Sequence, residues 1–307
     1  MIKTFKQFTV GDSATLEIKL PVITLGEGEP KALLVANQHG GETSGILVIE
    51  QLLKTLTKLT GTLTIVPTAN PLGLLMGTRN EPVDGKDLNR SFPGNKAGDI
   101  TGRLAAAIYD LAMQANFVID LHTFSRKTPI VGIQVKNNDQ SVQQQITKML
   151  LALGPDVVWQ IETDTQQFKG ALDEVCIKQG IPAIGIEMPK AAWITEAEID
   201  RVVQGILAML KLFGMVEQPA ATQPKHIPIC QAKTLFAETS GIFHPAKQPL
   251  ALVTQGQSIG NITSITTFKK TPVLAPANGL LLTVAHRGYV KTGSKLGSLG
   301  KVVGRLD

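Results

Sequence analysis

Short apolar runs alternate with amphipathic stretches over the first 215 residues of the chain. Continuous apolar runs bounded by turn residues are typical of strands buried on both faces, whereas apolar positions three or four apart indicate helices. The pattern therefore predicts a largely parallel sheet covered by helices. The predicted strands are 31–36, 62–67, 116–122, 129–135, 157–161 and 182–187, and the predicted helices are one carrying Ile46, Ile49, Leu53 and Leu56 and others at 101–115, 141–152, 170–179 and 195–213.

Both ends of the chain have a different pattern of apolar and polar residues from the central part. Runs near 2–10 and 15–24 predict a β-hairpin around Gly11 and Asp12. After Met215 comes a stretch rich in proline and small residues, followed by short β runs broken by glycine. We therefore predict three parts: an α/β domain over 1–217, a linker over 218–229 and a small all-β domain, barrel or sandwich, over 230–307.

Polar residues with metal-binding or acid-base chemistry follow three of the predicted strands. KALLVA runs into His39 and Glu42, FVIDL is followed by His122, and AIGI by Glu187. The carboxyl ends of parallel strands meet at one edge of a sheet, where ligands usually bind. Two histidines and a carboxylate are a ligand set of catalytic zinc, and a further carboxylate could serve as base.

Each of these residues also has an ordinary structural interpretation. His39 fits a polar turn, Glu42 suits the first turn of a helix, and His122 could be a buried histidine with satisfied hydrogen bonds. The combination favours the metal site, because the chain has five histidines and two of them end apolar strands.

The second polar cluster lies in the long stretch 69–94, which is predicted to be irregular. It contains Arg79, Asn89 and Arg90. Guanidinium groups bind carboxylates in a bidentate manner, and an arginine facing a metal can stabilise an oxyanion. The alternative is a surface loop whose arginines are solvated.

Composition and charge exclude several classes of protein. No apolar run approaches the roughly 20 residues of a membrane-spanning helix. The opening residues lack the apolar segment of a signal peptide, which predicts a cytoplasmic protein, and the two cysteines are predicted to be buried thiols. The net charge of +5 comes from the segment after Lys225, where single lysines with few aromatic neighbours favour a solvated surface over a nucleic-acid site.

Six segments in this order resemble the succinylglutamate desuccinylase/aspartoacylase family, relatives of the zinc carboxypeptidases. They are HGGE (39–42), NPLG (70–73) with Arg79 downstream, DLNRSFPG (87–94), DLHT (120–123), GIPAIGIE (180–187) and the C-terminal β segment. The resemblance covers nearly the whole chain. It implies a zinc-carboxypeptidase-like α/β fold, in which a mixed, largely parallel sheet is flanked by helices, with a small C-terminal all-β, barrel-like domain.

The resemblance also implies the chemistry of the site. It implies that His39, Glu42 and His122 hold Zn²⁺ and that Glu187 is the general acid/base. The family reaction is hydrolysis of the amide bond of an N-acyl amino acid, which releases a carboxylic acid and a free amine. Asp120, which shares a strand face with His122, could orient a ligand or line the pocket.

Further residues follow from the same resemblance. Arg79 is expected to polarise the scissile carbonyl, and Asn89 and Arg90 to bind the carboxylate of the substrate. Tyr109 and Tyr289 are the tyrosines available to cover the substrate. The C-terminal β segment is expected to form a lid or a pocket wall.

Two other functions stay open from the sequence. A metallocarboxypeptidase acting on short peptides would need the same zinc, acid/base and carboxylate-binding residues. A binding protein with an inert metal site and a basic β domain is the alternative from another class. The sequence leaves the acyl group, the amine and the oligomeric state open, a homo-oligomer included.

Overall fold

The structure is a computed structural model that describes residues 3–12, 17–124, 128–162, 165–166, 168–217 and 226–307. The strands of the first part of the chain are β1 (Lys3–Asp12), β2 (Glu17–Glu27), β3 (Lys31–Ala36), β4 (Gly61–Val66), β5 (Phe117–Thr123), β6 (Val131–Val135), β7 (Val157–Ile161) and β8 (Ala183–Met188). The helices are α1 (Ser44–Thr55), α2 (Pro71–Met76), α3 (Ile100–Ala112), α4 (Gln140–Leu153), α5 (Leu172–Lys178) and α6 (Glu196–Leu212), with a 3₁₀ turn at Leu88–Arg90. The C-terminal strands are β9 (Ile227–Phe236), β10 (Gly241–Pro245), β11 (Leu252–Val253), β12 (Ser258–Thr263), β13 (Lys270–Leu274), β14 (Gly279–Val284), β15 (Gly288–Val290) and β16 (Lys295–Leu306).

One large mixed sheet organises the molecule. Its strand order is β1-β2-β4-β3-β5-β8-β6-β7-β9-β16-β14-β11, and a smaller sheet has the order β13-β12-β10-β15. The central strands β4, β3, β5 and β8 run parallel, β6 is antiparallel to β8, and β7 is parallel to both β6 and β9. The predicted α/β fold, with a mixed sheet and a C-terminal β region, is confirmed.

The centre of the sheet is where the sequence pattern is most regular. All seven residues of β5 are buried, as are five of the six residues in each of β3 and β8. Such strands have no solvent face, so their sequences are nearly continuous apolar runs.

Both cysteines, Cys176 and Cys230, are buried and free, as predicted. Within the described ranges, no helix combines the length and apolarity that crossing a membrane requires.

The stretch 69–80 is more regular than predicted. It contains the helix α2, which has a proline at its N-terminus and an Asn70 side chain that accepts a hydrogen bond from the Gly73 amide. Gly77 ends the helix in the left-handed region, with φ of 63°. The prediction of an irregular loop was wrong here because Asn, Pro and Gly are helix-end residues as well as turn residues.

Two boundaries also differ from the prediction. Strands β1 and β2 pair antiparallel as predicted, but Gly11 and Asp12 are paired strand residues, and residues 13–16 lie outside the described residues. Most of the predicted linker, 218–225, also lies outside them, and β9 begins at Ile227 and pairs with β7. The large sheet therefore continues into the C-terminal region, and the division into 1–217, 218–229 and 230–307 stays a prediction.

A close backbone contact fixes the loop after β3. The Gly40 amide donates a hydrogen bond to the Thr78 carbonyl at 2.9 Å. A Cβ at Gly40 would lie 1.8 Å from the Gly73 carbonyl oxygen, whereas the nearest atom to a Cβ at Gly41 is 3.7 Å away. Only the first of the two glycines is therefore required for packing against α2.

This contact gives a matched pair of variants. Gly40→Ala should lower the free energy of unfolding by about 1–3 kcal/mol or more, because the backbone of α2 has to move to admit the methyl group. Gly41→Ala should change it by less than about 0.5 kcal/mol. Urea unfolding of the two variants measures both values, and equal losses would contradict the contact.

Candidate active site

The ends of three neighbouring parallel strands bring the predicted residues together. His39 and Glu42 follow β3, His122 is the penultimate residue of β5, and Glu187 is the penultimate residue of β8. His122 lies directly opposite Glu187 in the register of β5 and β8. Four polar side chains that follow or end the buried central strands therefore lie at one edge of the sheet.

Glu42 lies between the two histidines. Its Oε1 is 2.8 Å from His39 Nδ1 and its Oε2 is 3.1 Å from His122 Nδ1. The same Oε2 accepts a hydrogen bond from the Thr123 amide at 3.0 Å. One ligand atom from each of the three residues lies within 4.8 Å of the other two, which is close enough for all three to hold a single metal ion.

The other nitrogen of each imidazole faces an aspartate. His39 Nε2 lies 3.0 Å from Asp87 Oδ1, and His122 Nε2 lies 2.8 Å from Asp120 Oδ2. A carboxylate at this distance can accept a hydrogen bond from Nε2–H, while Nδ1 of each ring is directed into the site. Both histidines therefore present Nδ1 toward the same point, beside the Glu42 carboxylate.

Burial and charge set the protonation of these groups. Burial works against a charged imidazole at His39, but the hydrogen bonds to Asp87 and Glu42 prevail and raise its pKa. At His122, burial is outweighed by the charge and hydrogen bond of Asp120 and by Glu42, so that its pKa lies well above the ordinary value. Burial opposes ionisation of Glu42, yet the hydrogen bonds to the two histidines hold its pKa far below the usual range.

Glu187 has a different environment. Its Oε2 is shielded from solvent and has no hydrogen-bond partner among the described residues. Burial, and then the nearby charge of Glu42, raise the pKa of Glu187 to about 7. A carboxyl group with a pKa near neutrality can both accept and release a proton.

The polar residues of the 69–94 stretch complete this edge. Arg79 Nη2 lies 3.0 Å from Asp87 Oδ2, and Arg79 Nη1 lies 3.6 Å from Glu42 Oε1. Asn89 is buried, and its Oδ1 accepts a hydrogen bond from the Leu172 amide at 2.9 Å. The guanidinium of Arg90 lies 5.3 Å from the centre of the Phe168 ring.

A cavity opens at this edge of the sheet. Its inner part has a volume of about 70 Å³, and the seven residues predicted to bind the metal, catalyse the reaction or bind the substrate all line it. An outer cavity of about 460 Å³ shares His39, Glu42 and Glu187 and is bordered by Lys190 and Lys295. Because Lys295 begins β16, the C-terminal β region forms part of the wall, in line with the expected lid or pocket wall.

The structure adds residues that sequence reasoning did not select. Asp87, which contacts His39, is 48 residues away from it in the sequence. It belongs to the DLNR segment, in which only Asn89 and Arg90 were selected from the sequence. Asp173 also lines the inner cavity. Tyr109 packs against the core and Tyr289 is 63% exposed, and neither is among the residues lining the two cavities.

Comparisons with known proteins identify the family of the chain. The sequence model of the succinylglutamate desuccinylase/aspartoacylase catalytic domain matches residues 28–213. The N-alpha-acetyl-L-2,4-diaminobutyric acid deacetylase of Halomonas elongata is 27% identical over 308 residues, which cover 96% of this chain and 89% of that protein.

Solved structures share the fold. An aspartoacylase family protein from Mesorhizobium loti is 24% identical with a TM-score of 0.84, and the match covers 99% of this chain and 96% of that one. The product-bound ectoine utilization protein EutE (DoeB) from Ruegeria pomeroyi is 21% identical with a TM-score of 0.85, covering 97% and 94%. A metallo-carboxypeptidase from Burkholderia cenocepacia is 18% identical with a TM-score of 0.55, covering 68% and 64%.

The region matched by the family model contains all seven predicted site residues. Because the matched residues, 28–213, make up well over half of the 307-residue chain, the protein belongs to the succinylglutamate desuccinylase/aspartoacylase family.

Proposed function

We propose that this protein is a zinc-dependent deacylase that hydrolyses the amide bond of a small N-acyl amino acid. The observation that carries the proposal is a trio of potential ligands, His39, Glu42 and His122, beside the unpartnered buried carboxyl oxygen of Glu187. The family and the deacetylase relative support amide hydrolysis, and the carboxypeptidase-like fold supports the use of a metal. A cytoplasmic location and a homo-oligomer stay predictions.

The donor set fits zinc. Catalytic zinc sites use two histidines and a carboxylate and keep one position open. Histidines that bind zinc usually donate their other ring N–H to a carboxylate, which fixes the tautomer and the orientation of the ring. Asp87 and Asp120 stand in that position for His39 and His122.

The proton transfers fall to Glu187. Zn²⁺, when bound, would supply a Lewis acid that polarises the amide carbonyl and lowers the pKa of water toward about 7. Glu187 is proposed to take a proton from the attacking water and to return it to the leaving nitrogen. Its pKa of about 7, raised by burial and by Glu42, suits both steps near neutral pH.

Three residues are proposed to hold the substrate. Arg79 lies at the mouth of the site, where its guanidinium can stabilise negative charge on the carbonyl oxygen. Asn89 and Arg90 are proposed to bind the α-carboxylate. Arg90 Nη1 donates a hydrogen bond to the Asn89 carbonyl oxygen, and Arg90 forms no ion pair among the described residues, so its remaining N–H groups are available to an anionic ligand.

The proposal is tested by removing and restoring the metal. Chelator-treated protein should lose hydrolysis of an N-acetyl, N-formyl and N-succinyl amino acid panel by at least about 100-fold, and one equivalent of Zn²⁺ should restore it. The panel includes Nα-acetyl-L-2,4-diaminobutyric acid, named for the Halomonas elongata relative. Full activity without metal would contradict the proposal, and release of C-terminal residues from peptides in preference to the panel would indicate a carboxypeptidase instead.

Replacing the proton-transfer group should separate catalysis from metal binding. Glu187→Gln should lower kcat by about 10²- to 10⁴-fold and keep the zinc content of the wild type, because the amide cannot exchange protons in the same way. The matched control is Glu50→Gln, which alters an exposed carboxylate paired with Lys54. Equal activity of the two variants would exclude Glu187 as the acid/base.

The proposed carboxylate site predicts a dependence on the substrate. Arg90→Ala should raise KM for an N-acyl amino acid by at least about tenfold and leave the matching N-acyl alkylamine, which has no α-carboxylate, nearly unaffected. Arg103→Ala, an exposed guanidinium on α3, is the control. A steady-state comparison of both substrates decides the question, and equal losses on the two would remove the assigned role of Arg90.

A further inference from the structure

Asp173 is a buried carboxylate in the cavity that the mechanism above does not use. It is the second residue of α5 and only 6% exposed. Its side chain lines the inner part of the cavity together with Arg90 and Glu187. Burial, and then the charge of Asp120, raise its pKa to about 6, so Asp173 is largely ionised at neutral pH.

The hydrogen-bond partners of Asp173 leave one oxygen unsatisfied. Oδ1 accepts a hydrogen bond from the Glu174 amide at 2.9 Å. Among the described residues, no lysine, arginine or histidine forms an ion pair with this carboxylate, and Oδ2 has no hydrogen-bond partner. A buried charge is costly unless a partner of opposite charge compensates it. Oδ2 is therefore open to a cationic ligand in the cavity.

The neighbouring strand leaves space in front of Oδ2. A Cβ added to Gly185 of β8 would lie 3.6 Å from Asp173 Oδ2 and 3.1 Å from the Cβ of Ile133. The absence of a side chain at this position therefore keeps the inner end of the cavity open toward the carboxylate.

The cavity holds two unpaired charges of opposite sign. The hydrogen bond from the Leu172 amide to Asn89 fixes the start of α5 against the turn that carries Arg90. Arg90 stacks over Phe168, and Asp173 lines the same inner cavity. Neither forms an ion pair among the described residues, although the charges of His122 and Arg90 act on Asp173 and lower its pKa. A ligand that carries a carboxylate and, a short distance away, an ammonium group would neutralise both.

We propose that Asp173 is a specificity-determining residue that binds the side-chain ammonium of an Nα-acylated diamino acid, while Arg90 binds its α-carboxylate. The inference rests on the proposed deacylase function and defines its substrate class. The inner cavity, of about 70 Å³, is small, which favours a short side chain ending in an ammonium group.

The test compares two substrates of nearly equal shape on the zinc-loaded wild type. Nα-acetyl-2,4-diaminobutyrate and Nα-acetylnorvaline differ in having an ammonium or a methyl group at the same position. The wild type should prefer the cationic substrate by about 100-fold in kcat/KM, because the neutral one leaves the buried carboxylate unpaired. Nα-acetylglutamate, with a negative side chain, should be the poorest of the three.

Asp173→Asn removes the charge and keeps the shape. It should lower kcat/KM for the diaminobutyrate substrate by about 100-fold and change that for the norvaline substrate by less than about threefold. Asp110→Asn, an exposed aspartate paired with Lys96, is the control. Calorimetry supplies a readout besides turnover: free 2,4-diaminobutyrate should bind the wild type at least about tenfold more tightly than norvaline, and Asp173→Asn should abolish the difference.

Gly185→Ala tests the placement. The added methyl group should weaken hydrolysis of both substrates with three-atom side chains by at least about tenfold and spare Nα-acetylglycine, which does not reach this part of the cavity. Equal effects on all three substrates would show that the side chain does not lie beside Gly185, and would overturn the inference.

The outcomes separate this inference from the proposed function. If the wild type hydrolyses the cationic and neutral substrates equally well, Asp173 does not select a cation, and the deacylase proposal stands. If zinc-loaded protein hydrolyses none of the substrates, the deacylase proposal itself is wrong. The wild-type comparison decides the matter even if Asp173→Asn does not fold.

Discussion

The contact on which the site depends is the Glu42 carboxylate between His39 and His122. It joins the loop after β3 to the end of β5, and the Thr123 amide holds one of its oxygens in place. Without it, two buried imidazoles would face each other across the strand ends, with ring centroids 5.5 Å apart and no shared acceptor. Three donor atoms therefore converge because a single acidic side chain reaches both strands.

The aspartates behind the histidines extend this arrangement outward. Asp87 holds His39 and also contacts Arg79, while Asp120 holds His122 and accepts a hydrogen bond from Gln38 at 2.6 Å. The Nε2 side of each imidazole thus contacts an aspartate, and each aspartate is held by a further side chain, Arg79 or Gln38. Groups placed in this way need little rearrangement when a metal or substrate arrives, which is the structural requirement for preorganised electrostatics.

The sequence predicts the centre of the fold better than its edges, for a physical reason. β3, β5 and β8 are buried on both faces, so their apolar runs mark them within about one residue, and the polar residues that follow each run identify the candidate site. Asp87 and Asp173 could not be predicted, because their contacts join positions far apart in the chain and leave no periodic signal. The helix α2 was missed since its end residues are also those of turns.

The parallel pairing of β9 with β7 has a consequence for how the two halves of the chain depend on each other. The pairing joins Val158 to Ile229 and Trp159 to Cys230, and Trp159 also lines the outer cavity. A chain that ended after α6 would leave the main-chain amides and carbonyls of β7 exposed to water beside that tryptophan. The last quarter of the polypeptide therefore covers β7 and one side of the cavity, and is not a detachable appendage.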